Sequence, residues 1–230
     1  PWLDAVARGA DPFFLWVHLY DPHYPHQANA SLDGTRFANV ASYDAEIAFA
    51  DQQVGRVLDA LAAHGVTDNT LVIAVADHGE GLGDHQDQEH GYLLNEEVLH
   101  VPLLVRWPRG QRAGLRVASL VGLADLAPTI LDVTGITPQH PLPGRSLRGA
   151  LSGDPLPART QYAETDLPYA VFGWSPLRSL TTEQWKFVRT THGELYDRTH
   201  DRSEHTNLAN DRPDLVAALD RDLTTLEATF

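Results

Sequence analysis

Thr70-Leu-Val-Ile-Ala-Val-Ala-Asp-His-Gly-Glu-Gly-Leu-Gly-Asp-His-Gln-Asp-Gln-Glu-His90 is the stretch on which the reading of this chain turns. Leu71 to Ala76 is apolar without alternation, the pattern of a short strand covered on both faces. An acid and an imidazole, Asp77 and His78, stand where that strand ends. Gly79, Gly81 and Gly83 follow and allow the backbone to turn sharply and approach a ligand closely. In open α/β sheets, sites form beyond the carboxyl ends of the strands. A carboxylate beside an imidazole is a ready pair of metal ligands. It is equally a polar strand end, with Asp77 capping the next turn. Adjacent residues of an extended chain point to opposite sides, so both reach one ion only if the backbone bends there.

Outward from this stretch, helix and strand patterns alternate. Phe13 to Tyr20 is rich in aromatic and branched residues and reads as a first buried strand, after a helical start broken by Asp11-Pro12. Residues 21–42 hold Pro, Asn, Gly, Ser and Asp and read as a long loop. Ser42 caps a helix in which Ile47, Ala50, Val54, Leu58 and Leu61 recur at helical spacing, and Gly65 ends it. Val101 to Arg106 reads as a third strand, and Leu123 to Thr134 as a helix ending before Gly135. Strands alternating with helices predict a mostly parallel sheet sandwiched by helices. From residue 136 the texture changes. Pro138, Pro141, Pro143, Pro155 and Pro157 mark a connector. Leu177–Leu180, Trp185–Arg189 and Glu194–Tyr196 then stand at hairpin spacing, predicting a small antiparallel sheet. A closing helix over Pro213–Leu226 carries Leu215, Leu219, Leu223 and Leu226 on one stripe. The expected organisation is therefore an α/β part over 1–135, a connector over 136–160 and a C-terminal subdomain over 161–230.

The formal net charge of −14 repels nucleic-acid phosphate and offers no general attraction for anionic substrates. An anionic substrate needs local help from a metal or a few placed cations. The chain has one lysine, Lys186, no cysteine and no methionine. It contains no apolar run long enough for a transmembrane helix. It begins Pro1-Trp2-Leu3, without a basic and then apolar leader, and reads as part of a longer chain; a processed mature chain is the alternative. Asn29-Ala-Ser31 is a glycosylation triplet that carries meaning only in a secreted protein.

Eight of the twelve histidines lie between residues 18 and 100. His18 interrupts an apolar run and reads as a core residue. His23 and His26, in Asp21-Pro-His-Tyr-Pro-His26, lie past the predicted strand and are freer to act on a developing anion or a leaving oxygen. His85 and His90 follow Asp77-His78 among Asp84, Asp87 and Glu89.

Taken in order, Asp21-Pro-His-Tyr-Pro25, Tyr43 to Gly65, Val75-Ala-Asp-His-Gly-Glu-Gly-Leu-Gly-Asp-His85, His90-Gly91 and Glu96-Glu-Val-Leu-His-Val-Pro-Leu-Leu-Val105 resemble the sulfatases of the alkaline-phosphatase superfamily. Leu123 to Leu131, Gly144-Arg-Ser-Leu147 and Glu194-Leu-Tyr-Asp197 with Asn207-Leu-Ala209 resemble the C-terminal part of the same family. The resemblance implies an alkaline-phosphatase-like fold and metal-assisted hydrolysis of a sulfate ester, of a small molecule or a saccharide. It implies one divalent metal, Ca2+ first, with Mg2+, Mn2+ or Zn2+ as alternatives, held partly by Asp77 and His78. It assigns His23 to the sulfate and leaves His90 to stabilise charge or serve the leaving oxygen. Many sulfatases place a lysine upstream of the stretch that here is Glu96-Glu97 to Val105; no lysine is near, and His90 stands closest, similar to a branch that includes phosphoester-cleaving members. The family's nucleophile, a Cys or Ser converted to formylglycine, and its Asp-Asp ligand pair lie upstream of the matching segments. The 230 residues alone are therefore expected to be inactive. The competing readings are a phosphoester hydrolase or phosphoryl transferase of the same superfamily, a non-catalytic relative that binds anions or saccharides, and a gene piece without function of its own. Compartment is not legible in these residues, although the resemblance implies a periplasmic, secreted or membrane-anchored protein.

Overall fold

The structure is a computed structural model and describes residues 2–9, 11–26 and 42–228. Most of the predicted long loop and the Asn29 triplet lie outside the described residues. The helices are α1 (Trp2–Val6), α2 (Ser42–Ala63), α3 (Glu96–Leu99), α4 (Leu126–Thr134), α5 (Arg148–Ser152), α6 (Leu167–Phe172) and α7 (Pro213–Glu227). The strands are β1 (Val72–Val75), β2 (Leu103–Arg106), β3 (Gln161–Thr165), β4 (Leu177–Thr181), β5 (Trp185–Arg189) and β6 (Glu194–Asp197). The chain divides into two compact units, Pro1–Ile73 with Val105–Ala113, and Ala74–Leu104 with Gly114–Phe230.

In the first unit, α2 ends as its sequence predicts. Gly65 takes φ +68°, its N–H donates to the Ala62 carbonyl, and the Val66 N–H reaches the Leu61 carbonyl. This is the paired-bond C-terminal cap that glycine favours. The His64 ring bonds Asp4 of α1 at 2.7 Å. Arg106 donates to the Thr67 carbonyl at 2.7 Å.

The predicted strand at Phe13–Tyr20 does not form. Residues 12–20 have no regular secondary structure, and Phe14 and Trp16 are 68% and 79% exposed. His18, expected in the core, is exposed. An apolar run becomes a strand only where a neighbour satisfies its backbone N–H and C=O groups, and no described strand pairs with these residues. The two strands that do form over residues 1–135, β1 and β2, pair only with each other among the described residues. They are not buried on both faces: Leu104 is 64% exposed.

In the second unit, β3-β4-β5-β6 form an antiparallel sheet with register Tyr162↔Leu180, Leu180↔Phe187 and Phe187↔Leu195. The alternation of β5 decides its two faces. Phe187 joins Leu180 and Leu195 beneath α7, where Leu219 and Leu223 are buried and Leu215 and Leu226 flank them. Lys186 points the other way and is fully buried against Glu204, with Nζ 2.9 Å from Oε1. The strand β3 joins the three predicted ones.

The Leu123–Leu131 segment is a structural lock. Asp125, fully buried, accepts from the Gly122 and Arg145 N–H groups and from the Arg159 guanidinium. Thr129 accepts from the Leu147 N–H. At Gly144 an added Cβ would lie 1.9 Å from the Ala124 carbonyl oxygen, so only glycine fits.

Candidate metal and anion site

The loop after β1 is built on its glycines. The Gly79 N–H donates to the Val98 carbonyl at 2.9 Å, Gly81 to Glu89 at 2.7 Å and Gly83 to Asp87 at 2.7 Å. A Cβ at Gly79 would meet the Glu97 carbonyl oxygen at 2.0 Å, and one at Gly81 the Asp87 carbonyl oxygen at 2.5 Å. Side chains are therefore excluded at these two positions. The residues that alternate with them, His78 and Glu80, turn to a shared side, as alternate residues of an extended chain do.

His78, Glu80 and His90 offer ligand atoms that all lie within 4.8 Å of one another. The two imidazoles stack with centroids 3.8 Å apart. The His78 Nδ1 lies 2.9 Å from the Gly79 carbonyl, and carbonyls only accept, so Nδ1 carries the proton and Nε2 keeps its lone pair for a ligand. The His90 Nδ1 is held 2.8 Å from the Glu80 Oε1, which fixes the ring and raises the basicity of Nε2. Sequence reasoning named His78 and His90 and missed Glu80. Its signal was the His-Gly-Glu spacing, which puts both side chains on one face.

Asp77 behaves differently. Its side chain is 74% exposed, and its Oδ1 accepts from the His78 N–H at 3.1 Å and stands 3.9 Å from the His78 Nε2. It borders the trio and is not part of it. His23 belongs to the first unit, where its Nδ1 meets the Tyr24 carbonyl at 2.6 Å and its ring stacks on Tyr20 at 4.5 Å. His26 bonds Glu46, a buried acid of α2, at 2.8 Å.

Two imidazole nitrogens and a carboxylate oxygen make a donor set that divalent transition metals accept. Glu80 supplies a further fit: its Oε2 is buried and has no hydrogen-bond partner among the described residues. A stranded buried acceptor of this kind costs roughly 1–3 kcal/mol, and a coordinated cation removes that cost. Imidazole nitrogens suit Zn2+ better than Ca2+, which prefers six to eight oxygens.

The Sulfatase family model matches residues 1–136, and the model described as N-sulphoglucosamine sulphohydrolase, C-terminal, matches residues 83–229. Arylsulfatase K of Mus musculus is 31% identical over 245 residues, covering 98% of this chain and 44% of that protein. Phosphonate monoester hydrolase of Agrobacterium radiobacter superposes with a TM-score of 0.71 at 29% identity, covering 82% of this chain and 41% of that one. A protein solved with its substrate D-glucosamine-2-N,6-O-disulfate shares the fold at a TM-score of 0.67 and 24% identity, covering 81% and 40%. The chain spans about half the length of the curated relatives it matches.

Proposed function

Because the chain belongs to the sulfatase family, we propose that the protein carrying it hydrolyses a sulfate ester of a small molecule or saccharide, with a divalent metal held in part by this chain. The observation that carries the reading is the convergence of His78, Glu80 and His90 within 4.8 Å on a glycine-shaped loop. His78 holds the metal through Nε2, and Asp77, 3.9 Å from that nitrogen, is the neighbouring oxygen donor. When bound, the metal supplies Lewis-acid neutralisation of charge on the sulfuryl oxygens. His90, oriented by Glu80, donates to the transferring group or serves the leaving oxygen, and His23 keeps the sulfate-contacting role that the family resemblance gives it. For the protein carrying this chain, the finer architecture in this reading is a mostly parallel sheet that β1 and β2 join, covered by helices over 1–135, with a connector over 136–160 and the antiparallel subdomain over 161–230. The end of the Sulfatase match at residue 136 supports a division there.

Steady-state hydrolysis of 4-nitrophenyl sulfate, measured beside the corresponding phosphate and phenylphosphonate esters, tests the reading. Preference for the sulfate ester is the expected result. A second reading, phosphorus-ester hydrolysis, is favoured by the lack of a lysine upstream of Glu96-Glu97, where His90 stands closest, and preference for a phosphorus ester would select it.

A further inference from the structure

The glycine loop is also held from the far end of the chain. His85 sits in it at φ +50°, with Nδ1 2.6 Å from the Glu97 carboxylate and Nε2 3.0 Å from the Glu204 carbonyl. Both partners are acceptors only, so both ring nitrogens donate and the ring is an imidazolium. Glu204 is 2% exposed. Its carboxylate takes the Lys186 ammonium at 2.9 Å, the Asn95 amide at 3.0 Å and the Glu96 N–H at 3.0 Å. Arg198, just after β6, bonds Glu96 at 3.2 Å. One residue of the C-terminal subdomain thus fastens the loop at His85 with its carbonyl and at Asn95–Glu96 with its carboxylate. His78, Glu80 and His90 lie in or beside the span so held. Nothing in the candidate site's own chemistry requires these contacts.

We propose that His85 and Glu204 are positioning residues, which set the spacing of His78, Glu80 and His90 by tying the glycine loop to the C-terminal sheet. This rests on the reading of that trio as the metal and anion site. The Gly79 and Gly81 amides are the sensors, because their bonds to Val98 and Glu89 bracket Glu80. Outer-shell contacts of this kind are worth about 10–100-fold in metal affinity.

The test uses the protein that carries this chain, as wild type, His85→Ala, and the paired variant His85→Gln with Glu97→Gln, in which one amide bond replaces the ion pair. Amide hydrogen exchange and Mn2+ titration are read together. Expected are at least tenfold faster exchange at Gly79 and Gly81 in His85→Ala, unchanged exchange in β4 and β5, a 10–100-fold weaker Mn2+ affinity, and partial recovery of both in the paired variant. Loop amides that exchange at the wild-type rate would overturn the proposal, as would equal loss of protection in loop and sheet in both variants. A wild-type protein without sulfate-ester turnover would sink the proposed function and leave the exchange result standing.

Discussion

Asp77 and His78 are neighbours in the chain and face different surroundings: the Asp77 side chain is 74% exposed, whereas the His78 ring stacks on His90 at 3.8 Å. The division follows from the glycines. Backbone carbonyls press against Gly79 and Gly81 on one side, and His78 and Glu80 occupy the other. The two members of the strand-end pair therefore differ in what their replacement does. Asp77→Asn should leave the stability of the protein within about 0.5 kcal/mol of wild type, as an exposed polar exchange. A urea midpoint shifted by more than that would show a structural role that the geometry does not contain.

His23 is expected to act on the anion and not on the fold. His23→Ala should lower kcat of the protein carrying this chain by roughly 10²–10³-fold, the cost of losing one donor to a developing oxyanion. Thermal unfolding of the same variant should stay close to wild type. Unchanged turnover removes His23 from the mechanism.

Lys186 and Glu204 are both buried, at 0% and 2% exposure. Burial pushes the Lys186 ammonium below its ordinary pKa and the Glu204 carboxyl above its own, and each charge partly offsets the other's shift. Removing one partner strands the other, so Lys186→Met should cost about 3–5 kcal/mol in urea unfolding. A loss under 1 kcal/mol would mean that the remaining carboxylate is reached by water.

Two glycines should respond with opposite signs. A Cβ at Gly144 would overlap the Ala124 carbonyl, whereas at Gly55, inside α2, it meets nothing within 4 Å. Gly144→Ala should destabilise by about 1–3 kcal/mol or more, and Gly55→Ala should stabilise by about 0.5–1 kcal/mol. Calorimetry on the two variants reads both signs.

The His85 tie carries a pH dependence. Desolvation lowers the ring's pKa, but the bonds to the Glu204 carbonyl and the Glu97 carboxylate outweigh it, and the net shift is upward. The other groups near the ring are the Glu204 carboxylate, neutralised by Lys186, and the His205 ring at 5.4 Å. A raised folded pKa gives stability that is complete below the unfolded value, near 6.5, and is lost as pH rises through the folded one. The Tm of wild type should fall relative to His85→Gln between pH 6.5 and the alkaline side of neutrality. Parallel curves would show that the ring is not charged.

Local patterns were legible in the sequence and pairings across long distances were not. The C-terminal hairpins, the α7 stripe and the Gly65 and Gly135 caps follow from alternation, helical spacing and glycine placement, all set within a few residues. β3 escaped notice because Gln161-Tyr-Ala-Glu-Thr165 is mostly polar and forms only against β4. Phe13–Tyr20 misled for the converse reason: its apolar pattern is strand-like, and a strand exists only with a partner. At the site, attention to the adjacent Asp77-His78 pair hid the alternate pair His78 and Glu80. Lys186, the one lysine, set between Trp185 and Phe187 in an apolar strand, was a signal that a buried acid awaited it; Glu204 stands 18 residues away.

The central claim is that His78 gives its Nε2 to a divalent metal beside Glu80 and His90. Titration of the metal-stripped protein with Mn2+ and Zn2+, as wild type and as His78→Ala, tests it most directly. One tight site in wild type, weakened at least tenfold in the variant while the fold is retained, is the predicted result. Equal affinity in the two proteins would contradict the claim and return Asp77-His78 to a structural strand end.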